Sequence, residues 1–184
     1  LVLHFRPASV PEGTLRFSLT WGLGGMAAML VLLQFGTGVL LKFAYDPTPV
    51  AAYPSIQAII TDIPFGRLVR NLHHWGAHLL LVMAFLHLLR VFFTGAFHAP
   101  RQFNWIIGLS LFVIILVANL TGYLLPWDQL AYWAVSIGTS MAEATPLIGR
   151  ELKLLLRGAP DIGADGLLRF YLLHVLFLPL LLFL

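Results

Sequence analysis

The chain has 184 residues, of which 59% are hydrophobic and only 10% charged, with a net charge of +3 and a mean hydropathy of +0.88. Ordinary globular proteins carry roughly 25% charged residues, so this composition excludes a soluble enzyme and a disordered chain, and we expect no nucleic-acid partner. The sequence contains no cysteine, which excludes disulfides, iron–sulfur ligation and thioether attachment of a prosthetic group.

Four stretches without charged residues predict membrane-spanning helices. They follow Arg16, Arg70, Arg101 and Arg169 and contain 25, 19, 26 and 15 residues. About 20 apolar residues in a helix cross a bilayer core of roughly 30 Å, and these stretches are too long for barrel strands. We therefore expect an all-α membrane protein, a four-transmembrane-helix bundle in one domain over residues 1–184, with spans at about 18–42, 68–92, 104–125 and 168–184.

The connections between the spans differ in character. Residues 43–65 contain four prolines and are predicted to form an irregular loop, whereas residues 94–103 form a short turn. The third connection is long, and its stretches 130–141 and 146–157 combine apolar and polar faces. We expect both to be short helices along the membrane interface, with Pro146 at a first helical position.

Histidines inside the second and fourth spans are candidates for function, because an ionisable group in a membrane is costly unless something compensates it. His73 and His87 are fourteen residues apart, about 21 Å of helical rise, so both imidazoles project from nearly one face. His174 lies in the first turns of the fourth span. His74 and His78 could bind a metal, but we expect them to be structural or to lie near a cofactor.

Glycines repeat the fourteen-residue interval in the first and third spans, as the pairs Gly24/Gly38 and Gly108/Gly122. The helix directions place Gly38, Gly122, His73 and His174 at one membrane depth, and Gly24, Gly108 and His87 at the other. Imidazoles at two levels beside missing side chains suit two haems, since imidazole ligates haem iron axially and glycine leaves room for the ring edge. Singly, the histidines could be satisfied core residues and the glycines helix–helix contacts.

Arginines accompany each of these histidines. Arg70 precedes His73 by three residues, Arg169 precedes His174 by five, and Arg90 follows His87 by three. Haem carries two propionates, and arginine suits bidentate pairing with carboxylates, so these residues are candidate propionate partners. The alternative is that they anchor the spans at the membrane interface.

Several motifs together give a resemblance to a known family. The motifs, which cover the chain from about residue 15 onward, are QFGTG at 34–38, RNLHHWGAHLLLVMAFLHLLR at 70–90, TGAFHAPR at 94–101, TGYLLPWDQ at 121–129, PLIG at 146–149 and RFYLLH at 169–174. With these motifs the sequence resembles cytochrome b of the quinol-oxidising bc complexes, and PWDQ followed by YWAV is similar to the split cytochrome b of the b–f type.

The resemblance implies a role for each matching residue. His73 and His174 would ligate a low-potential haem on the quinol-oxidising side, and His87 a high-potential haem on the quinone-reducing side. The three arginines match family positions near haem propionates. The stretch from Trp127 to Gly149 matches one wall of the quinol-oxidation pocket, with the wall residues Ala134, Ile137, Gly138 and Pro146.

Three departures from the family pattern limit what can be transferred. The b–f type tethers an extra haem through a cysteine, and Gly22 stands at that position, so we expect two non-covalent b-type haems and no thioether-linked haem. The family's second histidine of the fourth helix is expected at 188 or 189, past Leu184. The Pro-Glu-Trp-Tyr segment that completes the quinol pocket is absent and is expected on later helices or a separate subunit.

The resemblance therefore predicts a di-haem subunit of a quinol:cytochrome c or plastocyanin oxidoreductase in a bacterial inner membrane or an energy-transducing organelle membrane. Its expected partners are quinone and quinol, membrane lipid, a Rieske-type iron–sulfur protein, a c-type cytochrome subunit, the C-terminal cytochrome b half and a second copy of the complex. Two alternatives stay open. One is a di-haem anchor of a hydrogenase or formate dehydrogenase, and the other is a haem-free membrane scaffold.

Overall fold

The structure is a computed structural model that describes residue 12 and residues 20–183. The described residues form seven helices joined by turns. In chain order they are α1 Leu23–Lys42, α2 Ala52–Thr61, α3 Gly66–Phe93, α4 Gln102–Leu124, α5 Gln129–Glu143, α6 Gly149–Arg157 and α7 Ala164–Phe183.

Four of these helices, α1, α3, α4 and α7, are long and apolar enough to cross a membrane. The prediction of an all-α bundle with four spanning helices is confirmed. The expected start of the first span near residue 18 lies outside the described residues; within them, α1 begins at Leu23, after Trp21 and Gly22 in the left-handed conformation. The fourth helix begins at Ala164, four residues before the predicted start.

The prediction of an irregular loop over residues 43–65 is wrong, because this connection contains the ten-residue helix α2. Pro54 is the third helical residue, and a proline in the first turn removes only an N–H that has no partner within the helix. The other prolines, at 47, 49 and 64, lie outside the helix. The number of prolines therefore does not predict a loop here, because Pro54 lies in the first turn of a helix, where proline is tolerated.

The long third connection contains both predicted short helices, α5 and α6. The Asp128 carboxylate caps α5 by accepting a hydrogen bond from the Ala131 backbone N–H at 2.8 Å. Pro146 is not the first residue of α6, contrary to expectation. Leu147 has a left-handed φ of 70°, which interrupts the chain between Pro146 and the start of α6 at Gly149.

The third connection packs onto the spanning helices at one end of the bundle. Leu124 of α4, Val135 of α5 and Phe170 of α7 form a buried apolar cluster there. At the same end, the Tyr45 hydroxyl donates to the Leu125 backbone carbonyl at 2.6 Å, and its ring lies 5.8 Å from that of Tyr171. The two long connections thus meet at one end of the bundle, as four consecutive spans require.

Candidate cofactor site at two levels of the bundle

The first level of the site brings together two imidazoles from different helices. The rings of His73 on α3 and His174 on α7 have centroids 6.1 Å apart and planes at 76°. Two imidazoles that ligate one metal from opposite sides, each with a nitrogen about 2 Å from it, have ring centres roughly 6 Å apart. The separation of this pair therefore suits a shared metal ion.

Two buried threonines hold these imidazoles by their Nδ1 atoms. Thr37 Oγ1 lies 2.9 Å from His73 Nδ1, and Thr121 Oγ1 lies 3.2 Å from His174 Nδ1. Each hydroxyl already donates its proton to a backbone carbonyl four residues earlier, Thr37 to Leu33 at 2.7 Å and Thr121 to Val117 at 2.9 Å. Each hydroxyl must then accept from the histidine, so Nδ1 carries the hydrogen and Nε2 keeps its lone pair for a metal.

Sequence reasoning missed both threonines, although a signal was present. Each one directly precedes a glycine of the fourteen-residue pairs, as Thr37–Gly38 and Thr121–Gly122. His174 Nδ1 also donates at 3.0 Å to the backbone carbonyl of Ala118, which lies on the same helix as Thr121. The Thr-Gly dipeptide thus places a hydroxyl that accepts from Nδ1 next to a position without a side chain, on the helix that faces each histidine.

Three of the four glycines of the fourteen-residue pairs lie against the histidines predicted at the same depth. A Cβ added at Gly38 would lie 3.2 Å from His73 Cε1, and one at Gly122 would lie 2.6 Å from His174 Cε1. Both distances are tighter than ordinary van der Waals contact. The missing side chains thus make room for the imidazoles themselves. From the sequence alone, this room is predicted to hold the edge of the haem ring.

The second level has the same glycine contact but fewer groups. A Cβ added at Gly24 would lie 3.0 Å from His87 Cε1, so α1 and α3 approach here as they do at the first level. Gly108 on α4 faces open space, with nothing within 4 Å of an added Cβ. Within the described residues, the contact at this level is therefore the one between His87 of α3 and Gly24 of α1.

The three arginines lie on the helices that carry the candidate ligands. Arg70 and Arg90 are part-buried on α3, one turn before His73 and one turn after His87. Arg169 is exposed on α7, and its Nη1 donates to the backbone carbonyl of Leu155. Each level therefore has a guanidinium near the corresponding end of the bundle.

The neighbouring histidines His74 and His78 do not join either level. Both are exposed on α3, with ring centroids 4.8 Å apart, and His78 Nδ1 donates to the His74 backbone carbonyl at 2.9 Å. The part of the chain that the structure describes contains no group of three or more His, Cys, Asp or Glu side chains that could hold a metal ion. Any metal of the bundle would thus need ligands from outside the protein side chains, as a macrocycle supplies.

The candidate pocket wall lies on the outer face of α5. Ala134 is half-buried, whereas Ile137 and Gly138 are exposed and nothing lies within 4 Å of an added Cβ at Gly138. Pro146 is exposed in the turn before α6. These residues lie on an open surface, at the end of the bundle where the third connection packs, rather than around an enclosed cavity.

The residues at the first level fit a haem. The pair of oriented imidazoles would hold the haem iron through two nitrogens, and glycine replaces a side chain on each facing helix. Between α1 and α3, both side-chain polar atoms of Gln34 are buried without a hydrogen-bond partner in the described residues. An unsatisfied buried amide beside a candidate site is typical of a position that meets a bound polar group.

Comparisons with known proteins identify the family to which this chain is similar. The family model described as Cytochrome b/b6/petB matches residues 11–184. The chain is 45% identical over 170 residues to a cytochrome b6 from Heliobacterium modesticaldum, covering 92% of this chain and 79% of that protein. It is 48% identical over 161 residues to a menaquinol:cytochrome c reductase cytochrome b subunit from Bacillus subtilis, covering 87% of this chain and 72% of that one.

A solved structure has the same fold. A chain of a hyperthermophilic respiratory Complex III superposes with a TM-score of 0.81 at 30% identity, and the match covers 89% of this chain. The match covers 44% of the solved chain, so the present chain spans less than half of its length. The bundle described above thus matches one part of a longer chain in that structure.

Proposed function

This chain belongs to the cytochrome b family, and we propose that it is the haem-carrying electron-transfer subunit of a quinol-oxidising membrane complex of the bc or b–f type. It is a multi-pass integral membrane protein with four spanning helices. Like its relatives, it binds haem and acts as one subunit of an oxidoreductase complex.

The observation that carries the proposal is the oriented imidazole pair at the first level. His73 and His174 would ligate a b-type haem through Nε2, since Thr37 and Thr121 hold the other ring nitrogen. Haem iron supplies one-electron redox chemistry when bound. This chain's residues would hold the haem without a covalent bond to the protein, because the sequence has no cysteine for a thioether.

A second haem would be held at the other level by His87, with Gly24 and Gly108 on the helices around it. The fourteen residues from His73 to His87 separate the two levels by about 21 Å along α3. Arg70 and Arg169 near the first level, and Arg90 near the second, would pair with haem propionates. The two sites would then lie near opposite membrane surfaces, as electron transfer across the bilayer requires.

Quinol would be oxidised beside the first level, against the outer face of α5. Ala134, Ile137, Gly138 and Pro146 would supply one wall of that pocket, and a Pro-Glu-Trp-Tyr segment outside this sequence would supply the other. One electron would pass to a Rieske-type iron–sulfur protein and on to a c-type cytochrome, and the other would enter the bundle and reach a quinone at the second level. We expect the complex to be a homodimer.

The two alternatives are less well supported. The similar proteins are cytochrome b6 and menaquinol:cytochrome c reductase subunits, so a di-haem anchor of a hydrogenase or formate dehydrogenase is not favoured. Membership of a haem-binding family likewise weighs against a haem-free scaffold.

A redox titration of the detergent-solubilised complex, followed in the visible bands, tests the proposed function together with a quinol-driven cytochrome c reduction assay. We expect two haem components of different potential and quinol-dependent reduction of the acceptor. A complex without a Soret band would contradict haem binding. Two haems without any quinol-dependent reduction of a soluble cytochrome would favour the anchor alternative.

A further inference from the structure

A charged side chain is buried behind the candidate quinol pocket. Arg157, the last residue of α6, is 8% exposed, and its guanidinium donates to three neutral acceptors. Nε donates to Thr139 Oγ1 at 2.7 Å, Nη1 to the Pro160 carbonyl at 3.3 Å and Nη2 to the Ser136 carbonyl at 3.4 Å. Two of the three acceptors belong to α5, so the guanidinium clamps that helix.

None of these three bonds is an ion pair. The hydrogen bond from Lys153 Nζ, at 2.5 Å, is the main cause that lowers the pKa of the Glu143 carboxyl, and the charge of Arg157 makes a smaller contribution. Burying a charge without a contacting counter-ion is costly, and an apolar side chain would fill the same space at lower cost. The guanidinium differs from an apolar side chain in its planar fork of donors, which fixes the direction of every group it binds.

The Thr139 hydroxyl, which accepts the hydrogen bond from Arg157 Nε, has its own proton engaged in another hydrogen bond. Thr139 is 2% exposed, and its Oγ1 donates its single proton to the Val135 carbonyl at 2.6 Å. The remaining lone pairs of Oγ1 are then available to Arg157 in one orientation only. The contact therefore constrains both the rotation and the axial position of α5.

The clamped residues bracket the candidate pocket wall. The Ser136 backbone carbonyl and the Thr139 hydroxyl accept from Arg157. Ile137 and Gly138, which lie between them in sequence, are exposed, and the helical period places them on the opposite side of α5. A residue that fixes the inner face of a helix at these two points also fixes the outer face between them. We propose that Arg157, through Thr139 and Ser136, is a positioning residue that sets the quinol-binding wall of α5; this inference rests on the proposed function.

The same arginine touches the helix that carries His174. A Cβ added at Gly166, in the first turns of α7, would lie 3.1 Å from the Arg157 backbone oxygen. Val135 of α5 also packs in one buried cluster with Phe170 of α7. The wall and the first haem level are thus tied to one another through the junction of α6 and α7, which keeps the distance between them constant.

The test uses the Thr139 contact, which can be removed without changing the charge of the protein. In the intact complex, Thr139→Val should raise the KM for quinol about ten-fold with kcat changed less than two-fold, because a wall displaced by a fraction of an ångström binds the headgroup less well. Thr139→Ser keeps the acceptor oxygen and should restore the wild-type KM. Arg157→Lys, which lacks the planar fork, should raise KM as Thr139→Val does.

Lys153→Ala is the control, because it removes a cation of the same helix whose contact with α5 is the ion pair with Glu143 at the end of that helix, away from Thr139 and Ser136. It should leave the KM for quinol unchanged, and none of the Thr139 variants should shift the haem potentials. Equal KM values for Thr139→Val and Thr139→Ser would overturn the proposal, as would a loss of haem that accompanies every rise in KM. A wild-type complex that oxidises no quinol would instead refute the proposed function.

Discussion

The two levels of the bundle share one spacing but differ in how their histidines are held. At the first level, α1, α3, α4 and α7 all contribute, and a threonine precedes each glycine that faces an imidazole. At the second level, Leu23 precedes Gly24 and Ile107 precedes Gly108, so the hydroxyl is missing on both helices. A repeated interval thus sets equal depth and room, whereas the adjoining residue decides the hydrogen bonding of the ligand.

This difference bears on the redox properties expected of the two levels. A hydrogen bond from Nδ1–H to an acceptor makes imidazole a stronger donor to the metal, and axial donor strength is one of the means by which proteins tune haem potential. The threonines at His73 and His174 would therefore favour a lower potential for a haem held at the first level. Among residues 20–183, the π-helical segment is Leu173–Phe177, which contains His174 of the first level.

Removal of the candidate ligands is expected to have the largest effect, and it tests directly whether the two levels hold separate haem components. His73→Ala or His174→Ala should abolish the lower-potential component in a redox titration, and His87→Ala should abolish the higher one. His98→Ala is the control, since His98 is exposed in the turn after α3. If all three ligand variants kept both components, the assignment of the two levels would be wrong.

Glycine substitutions should produce a graded effect along the same helices. Gly122→Ala places a Cβ 2.6 Å from His174 Cε1, and Gly38→Ala places one 3.2 Å from His73 Cε1. We expect less haem at the first level for Gly122→Ala than for Gly38→Ala, with the second level intact in both. Gly36→Ala, whose Cβ meets nothing within 4 Å, is the matched control. Equal haem content in all three would favour a helix-packing role for these glycines.

The threonines allow the difference in potential between the levels to be tested directly. Thr37→Val removes an Nδ1 acceptor worth about 1 kcal/mol, so the lower midpoint potential should rise by about 40 mV for a one-electron couple. Thr121→Val should raise it less, because the Ala118 carbonyl still accepts from His174 Nδ1. Thr37→Ser and Thr121→Ser keep the hydroxyl and should keep the potential. A shift of the higher-potential component instead would show that the threonines act on the wrong level.

The surface ion pair of the third connection should have the smallest effect. The hydrogen bond from Lys153 is the main cause that holds the pKa of the Glu143 carboxyl below its ordinary value. A lowered acid pKa stabilises the fold above the ordinary carboxyl pKa and loses that contribution as pH falls through the lowered value. In melting curves taken from pH 7 to pH 3, Glu143→Gln should flatten this acid dependence slightly and leave both haem potentials unchanged. A change in either potential would mean that the pair contributes to the site.

The amino-acid sequence alone determined the fold class and the depth of the candidate ligands. Charge-free stretches of 19 to 26 residues allow only spanning helices, and the direction of each helix then follows from their order. Because helical rise per residue is constant, a fourteen-residue interval in three helices brings Gly38 to His73, Gly122 to His174 and Gly24 to His87. The fourteen-residue spacing alone is compatible with haem binding and with plain helix packing. The family resemblance favours haem as the cofactor.

Only the tertiary structure decided which polar groups meet. Thr37 and His73 are 36 residues apart, and Thr121 and His174 are 53 apart, so their hydrogen bonds depend on the rotation of each helix against its neighbour. Likewise, Arg157 is the end of a basic amphipathic helix in sequence, and its burial against Thr139 results from the packing of α6 on α5. Periodicity and charge act along one chain segment and can be read from it, whereas side-chain partners are set by packing between segments.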